Sequence, residues 1–165
     1  MPNNIEAESY VLGAIMIDDK AANDVVPELR EDDFYLESHR YIFRAMKELQ
    51  ASSKPIEFVS VVDQLELDGK IDEVGSASYI SELTEKTLSA ANVSFYADIV
   101  KRDALTRRVI HASNDAVQFA YEAQTGRDAL EHAEEVIYNI SQDISDKTLQ
   151  PAKKALGEAL AKIQA

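Results

Sequence analysis

The chain has 165 residues, with 17 lysines and arginines against 30 aspartates and glutamates, a net charge of -13, and no cysteine. That length carries one ordinary domain, or a small domain with an appendage, and buries a core without disulfide or metal staples. The lack of cysteine excludes a disulfide framework and thiolate metal sites, and the acidic balance opposes autonomous binding to a phosphate backbone.

The amino terminus, Met1 to Tyr10, has no basic region leading into an apolar signal segment, and the longest apolar run, Tyr10 to Ile17, is interrupted by Gly13. It falls well short of the roughly 20 apolar residues that span a bilayer, so neither a secretion signal nor a membrane span is expected, and the expected compartment is the cytoplasm. Five glycines and four prolines punctuate the sequence, and between them apolar residues recur at helical spacing. The expected fold is all-α.

Asn3 with Glu6 three positions later has the form of a capping box, opening a helix with apolar positions at Ile5, Leu12, Ile15 and Met16. A second helix starts near Asp18 or Asp19, and Pro27 kinks it or ends it one residue earlier. A third runs from about Glu37 to Ala51, presenting Ile42, Phe43, Met46 and Leu49 on one side, and stops before the Ser52-Ser53-Lys54-Pro55 loop. Phe58, Val61, Val62 and Leu65 form a short helix ended at Asp68-Gly69, where glycine takes the left-handed conformation. Lys70 to Val74 is too short for a helix and makes either a turn or an extended crossing. Gly75 then precedes a helix with Tyr79, Ile80 and Leu83.

From Asn92 about thirty residues pass without glycine or proline, which predicts one long helix ended by Gly126. Leu105, Val109, Ala112, Ala116, Phe119 and Ala123 follow steps of four and three along it. After the break Leu130, Ala133, Ile137, Ile140 and Ile144 do the same, with Asp128 as a cap and Glu131 as an early acidic residue. Narrow seams and the short Thr125-Gly126-Arg127 connection predict an antiparallel helical hairpin with Val117, Val136 and Tyr138 off the seam. Such a pair has little core of its own, so it folds back on the globular part or packs on another hairpin. A linker at Ser145 to Gln150 leads to Pro151 at the first turn of a last helix, whose stripe includes Ala152, Ala155, Leu156, Ala159, Leu160 and Ile163. The resulting organisation is a globular helical subdomain over 1–91, a projecting hairpin over 92–145 and a linker with an amphipathic helix over 146–165.

No Gly-rich loop followed by Lys-Ser or Lys-Thr occurs, so the phosphate cradle of a nucleotide hydrolase is absent from this sequence and no ATP hydrolysis of that kind is expected. None of His39, His111 and His132 stands at helix-borne metal-pair spacing from another. His39 admits two readings: a buried or boundary polar contact with Asp32, Asp33 or a backbone carbonyl, or an acid–base group activated by Asp33 or Glu37. A small enzyme centred on His39 would need a paired catalytic residue that the sequence does not supply. Lys101, Arg102, Arg107 and Arg108 face an acidic set, Glu131, Glu134 and Glu135, as solvated faces with weak pairs or as a selective partner surface. Phe95 and Tyr96 beside Lys101 and Arg102 offer a weaker option, base stacking on single-stranded DNA, which the acidic total opposes. Tyr96, Ile137, Tyr138 and Ile140 also read as ordinary core.

Two runs carry a resemblance. Asp33-Phe34-Tyr35 with His39-Arg40, Ile42-Phe43 and Ala45-Met46, and Ser89-Ala90-Ala91-Asn92 with Tyr96-Ala97 and Ile99-Val100, stand in an order shared with Ile5-Glu6-Ala7-Glu8, Val11-Leu12-Gly13-Ala14, Gly69-Lys70, Val74-Gly75, Tyr79-Ile80 and Arg107-Arg108. Together they resemble the amino-terminal domain, with linker helix, of bacterial replicative DNA helicases of the DnaB type. Leu88 stands where the family often has proline, and Glu57 where it usually has aspartate; both bear on local turn and cap geometry.

The resemblance implies a non-catalytic assembly and primase-binding module. Its copies form dimers or a hexamer collar, it receives the carboxy-terminal helicase-binding domain of primase, and unwinding is thereby coupled to priming in DNA replication. It further implies a linker helix docking on a neighbouring ATPase domain through Leu156, Leu160 and Ile163, helicase loader and initiator as further partners, and no cofactor here, ATP and Mg belonging to the ATPase domain. That domain, with its DNA-binding loops, is not in this sequence, so the chain reads as a fragment or as a protein encoded alone. On this resemblance and the helical periodicity, Tyr96, Val117, Phe119, Ile137 and Ile140 are the expected self-association or primase-contact residues. The alternative is a free-standing phage or plasmid regulator of host helicase or primase with the same fold.

Overall fold

A computed structural model describes the backbone from Met1 to Gln164, and the side chains of that span outside residues 145–154 and 164. Among the described residues it is all helical: α1 Ile5–Ile17, α2 Asp19–Val25, a 3-10 turn Glu31–Asp33, α3 Glu37–Ala51, α4 Phe58–Leu67, α5 Ser76–Lys86, α6 Val93–Glu122 and α7 Gly126–Gln164. The chain divides into two compact units, Met1–Thr106 and Arg107–Ala165.

In the first unit α1 is the central helix, packed on α2, α3 and α5, while α4 joins α3 to α5. Ala7, Val11, Leu12, Ala14, Ile15 and Met16 are all buried and leave little polar stripe, and a helix apolar nearly all round is a buried one. Its cap is Asn4, whose side chain accepts from the Ala7 amide at 2.9 Å, one residue later than the Asn3–Glu6 box expected. Asp18 closes α1 and caps α2, accepting from the Lys20 and Ala21 amides. Val25, two residues before Pro27, ends α2, as the missing amide of proline requires.

Helix α3 keeps the expected bounds and buries Ile42, Phe43, Met46 and Leu49. Helix α4 ends in a Schellman motif: Gly69, at φ +69°, donates to the Glu66 carbonyl at 3.1 Å, and Lys70 to that of Leu65 at 2.9 Å. Glu57 leaves α4 well started, because the Ser60 hydroxyl accepts from the Glu57 amide and donates to the Pro55 carbonyl. Lys70 to Val74 forms a turn, the first of the two expected alternatives, and Gly75, at φ +96°, opens α5.

Helix α6 begins as a core helix of the first unit. Val93, Ala97, Val100 and Ala104, at steps of four, three and four, are all buried. The division between units therefore falls inside α6, after Thr106, and not at the 91/92 boundary drawn from the sequence.

In the second unit the connection between α6 and α7 is Ala123 to Thr125. Thr125, not Asp128, is the cap: its hydroxyl accepts from the Asp128 amide at 3.1 Å, and Gly126 is already helical. Helix α7 continues without interruption through 146–150, where a linker was expected, so the terminal helix is the end of α7. No glycine and no proline lie between Gly126 and Pro151, and one interior proline removes a single helical hydrogen bond without by itself ending a helix.

Candidate interaction site

His39 is buried on α3, and its polar partners are on other helices. Glu8 of α1 and His39 of α3 are 1% and 0% exposed. Glu8 Oε1 lies 2.9 Å from His39 Nδ1, and Glu8 Oε2 accepts from the Tyr35 amide at 2.9 Å. Helix α3 has no cap of its own, since its N-cap residue is Leu36, and the carboxylate of Glu8 takes that place at the positive end of the helix dipole. A carboxylate only accepts, so Nδ1 donates to Glu8, and Nε2 lies 2.5 Å from the Tyr79 hydroxyl.

Neither sequence reading of His39 named this partner. Asp33 instead accepts from the Arg30 amide at 2.7 Å, and Glu37 from the Tyr41 hydroxyl at 2.9 Å. The polar-contact reading survives in kind, with Glu8 as the contact. An enclosed carboxylate–imidazole–phenol chain has no room for a substrate at the imidazole; its work is to join α1, α3 and α5.

Tyr79 carries the network to the surface. It lines a half-open cavity of about 450 Å³ between α1 and α5, together with Ile5, Glu6, Tyr10, Glu82, Leu83 and Lys86. Burial pushes the Tyr79 phenol above its ordinary value; a hydrogen bond with Ser9 opposes the shift and the Glu82 charge adds to it.

Tyr96 also belongs to the first unit. Half-buried, it packs its ring on Tyr10 with centroids 4.2 Å apart, and Tyr10 in turn donates to the Ser89 carbonyl and accepts from the Asn92 amide. The Ser89–Asn92 run is thus tied to α1. Lys101 pairs with Glu28 at 3.0 Å and Arg102 with Asp103 at 3.3 Å, both inside the first unit. These local pairs are exposed and weak.

The hairpin partners within the second unit are Phe119 and His132, stacked with centroids 4.0 Å apart, and Asp115 and His132, 3.2 Å apart. Along α6 Ala112, Ala116 and Phe119 are half-buried, as is Ala123 just after it, all as expected, but Val109, also placed on the seam, is 42% exposed and its neighbour Ile110 is half-buried instead. Along α7 the half-buried positions are Ala129, His132, Ala133, Val136 and Ile140, so that Ala133 and Ile140 hold their expected places while Ala129 and Val136 replace Leu130 and Ile137. Leu130, Ile137 and Ile144, assigned to the seam from their spacing, are 59%, 43% and 45% exposed, while Val136, placed off the seam, is half-buried.

The outward face therefore holds Val117, 57% exposed, with Ile137 and Tyr138, 61% exposed. Ala133, Glu134, Ile137 and Tyr138 line a shallow, almost wholly apolar groove. Of the five expected contact residues, Val117 and Ile137 point outward, Phe119 and Ile140 serve the seam, and Tyr96 stands in the other unit. Tyr121 and Leu130 are exposed apolar residues that the periodicity argument did not select as contacts. Leu156, Leu160 and Ile163 are exposed at steps of four and three on α7. No helix of the described residues is long and apolar enough to cross a membrane.

Residues 1–102 match the family model described as the DnaB-like helicase N terminal domain. The chain is 34% identical over 153 residues to the replicative DNA helicase DnaB of Buchnera aphidicola subsp. Baizongia pistaciae, covering 92% of this chain and 33% of that protein. It is 34% identical to the replicative DNA helicase DnaC of Bacillus subtilis, covering 94% of this chain and 34% of that one. It thus spans about a third of the length of these relatives. The crystal structure of the N-terminal domain of DnaB helicase from Mycobacterium tuberculosis superposes with a TM-score of 0.80 at 32% identity, over 84% of this chain and 98% of that one. A structure of a DnaB-like replicative helicase, described with its interactions with primase, has the same fold, with a TM-score of 0.68 at 19% identity, over 84% of this chain and 31% of that one.

Proposed function

The chain belongs to the DnaB-like helicase N-terminal domain family, and from that premise we propose that it is a non-catalytic assembly and primase-binding domain of a replicative DNA helicase. In this reading its copies associate into a dimer or hexamer collar, and the collar receives the carboxy-terminal helicase-binding domain of primase. Unwinding and primer synthesis are thereby coupled in the cytoplasm.

The observation that carries the reading is the outward apolar face of the hairpin. Val117, Ile137 and Tyr138 stand exposed on a two-helix unit whose seam is narrow and only half-buried. A face of that composition is an interface in want of a partner. Nucleotide chemistry, with ATP and Mg, is assigned to a separate ATPase domain, on which Leu156, Leu160 and Ile163 of α7 dock. Loader and initiator are further partners in the same scheme.

The test is the mass of the protein by analytical ultracentrifugation over a concentration series, with and without the primase carboxy-terminal domain. Concentration-dependent association, and a complex with the primase domain, are expected. A monomer at every concentration together with no complex sinks the reading.

A further inference from the structure

We propose that the cavity between α1 and α5 receives a lysine or arginine side chain presented by a partner protein. The site lies wholly in the first unit and does not rest on the hairpin reading.

Its chemistry is that of a stem and a head. Ile5 and Leu83 supply apolar wall for methylene groups, and long basic side chains bury their stems along such walls while the charged end stays near polar groups. Two carboxylates, Glu6 and Glu82, stand exposed at the same cavity, with the rings of Tyr10 and Tyr79 beside them, and a cation is attracted both to carboxylates and to aromatic faces. The single ammonium present, Lys86, is already held by Glu82 at 2.5 Å. The cavity is therefore net acidic in a chain of charge -13, which disfavours an anionic occupant.

Three substitutions separate recognition from folding. Each changes an exposed side chain, so an unchanged thermal midpoint shows that the fold is intact. The probe is the blocked peptide acetyl-Ala-Ala-Arg-Ala-Ala-amide, with its glutamate counterpart and spermidine as the comparison arms, followed by amide chemical shifts of the ¹⁵N-labelled protein. The arginine peptide is expected to move the amides of Ser9, Tyr79 and Leu83, and the glutamate peptide to leave them in place.

Glu6→Gln and Glu82→Gln are each expected to weaken binding about two- to fivefold, the range of an exposed ion pair, with Glu82→Gln the larger because it also releases Lys86. Lys86→Met is expected to tighten binding by a similar factor. Equal shifts with the glutamate peptide, binding indifferent to all three substitutions, spermidine binding without peptide binding, or no shift at all would each overturn the proposal. Loss of this binding with the hairpin association intact, or the reverse, tells the failure of one reading from that of the other.

Discussion

Glu8 and His39 are 31 positions apart in the chain and meet in the core at 2.9 Å, the histidine fully enclosed. Removing either partner leaves the other buried with one hydrogen bond fewer, Glu8 keeping the Tyr35 amide and His39 the Tyr79 hydroxyl. Glu8→Ala and His39→Ala are each expected to lower unfolding stability by about 3 kcal/mol, the usual cost of breaking a buried pair from one side. Tyr79→Phe removes one hydrogen bond and is expected to cost about 1 kcal/mol. Urea unfolding of the three single variants and the Glu8/His39 double variant gives the coupling directly. A double variant no worse than either single places the loss in their contact, and strict additivity refutes it.

Gly13 is required by a close approach of α1 to the end of α5. A Cβ built there would lie 2.1 Å from Thr87 Oγ1 and 2.5 Å from the Leu83 carbonyl oxygen. Alanine is a better helix former than glycine by about 1 kcal/mol, but overpacking of a core contact costs about 1–3 kcal/mol, and a backbone carbonyl cannot swing away. Gly13→Ala should therefore destabilise despite its helix propensity. Adding Thr87→Ala is expected to restore only part of the loss, since the carbonyl remains. Thermal unfolding by circular dichroism measures both.

Helices α3 and α4 end in the same motif with different residues at the left-handed position. Ser53 sits at φ +55° where α4 has Gly69 at φ +69°, and Lys54 donates to the Leu49 carbonyl as Lys70 does to that of Leu65. A side chain at positive φ costs about 1–2 kcal/mol, against about 0.5–1 kcal/mol of extra chain entropy for glycine. Ser53→Gly is expected to raise stability by about 0.5 kcal/mol and Gly69→Ala to lower it by about 1 kcal/mol. Opposite signs in matched denaturation curves are the expected result, and a shared sign contradicts the account.

Glu48 gives the stability of this chain a pH dependence of known sign. Burial, then the nearby Asp68 carboxyl, push its carboxyl above the ordinary glutamate value of 4.5, while Arg44 and the Gln64 amide pull it down. A raised folded-state value means that the contribution of Glu48 to stability is fully present below about 4.5 and is lost as pH rises through the raised value. Glu48→Gln should thus be more stable than the parent at pH 7, with an advantage that shrinks towards pH 4. The site is partly solvated, so the difference is small. Paired melting curves at the two pH values decide it, and an advantage that grows on acidification has the wrong sign.

Local signals made the helices of the first unit legible. Pro27 stops α2, Gly69 and Gly75 bracket α4 and α5, and the apolar spacing of Ile42, Phe43, Met46 and Leu49 locates α3. The Glu8–His39 pair was not legible, because a glutamate in the first turns of a helix looks like any dipole-facing surface charge until the distant partner is placed. The α7 seam was legible at Ala133 and Ile140 and missed at Leu130 and Ile137 for a different reason. Leu130-Ile137 and Ala129-Val136 are parallel stripes of equal period, so spacing alone does not choose between them. The Phe119–His132 stack fixes which stripe of α7 turns inward, and that contact between distant positions has no local signature.

That register yields a prediction separating folding from association. Ile137 faces outward and Phe119 faces the seam, stacked on His132. Ile137→Asp should change unfolding stability by no more than about 0.5 kcal/mol, as for a surface position, while weakening self-association about tenfold or more through a charge in an apolar contact. Phe119→Ala should do the reverse. It removes the aromatic stack and part of a half-buried seam, for a loss of about 1–3 kcal/mol, and leaves Val117, Ile137 and Tyr138 in place for a partner. Sedimentation equilibrium reads association and calorimetry reads stability on the same samples. If Ile137→Asp melts the hairpin while Phe119→Ala dissociates intact copies, the seam runs through Leu130 and Ile137 after all, and the face assigned to partners is the wrong side of α7.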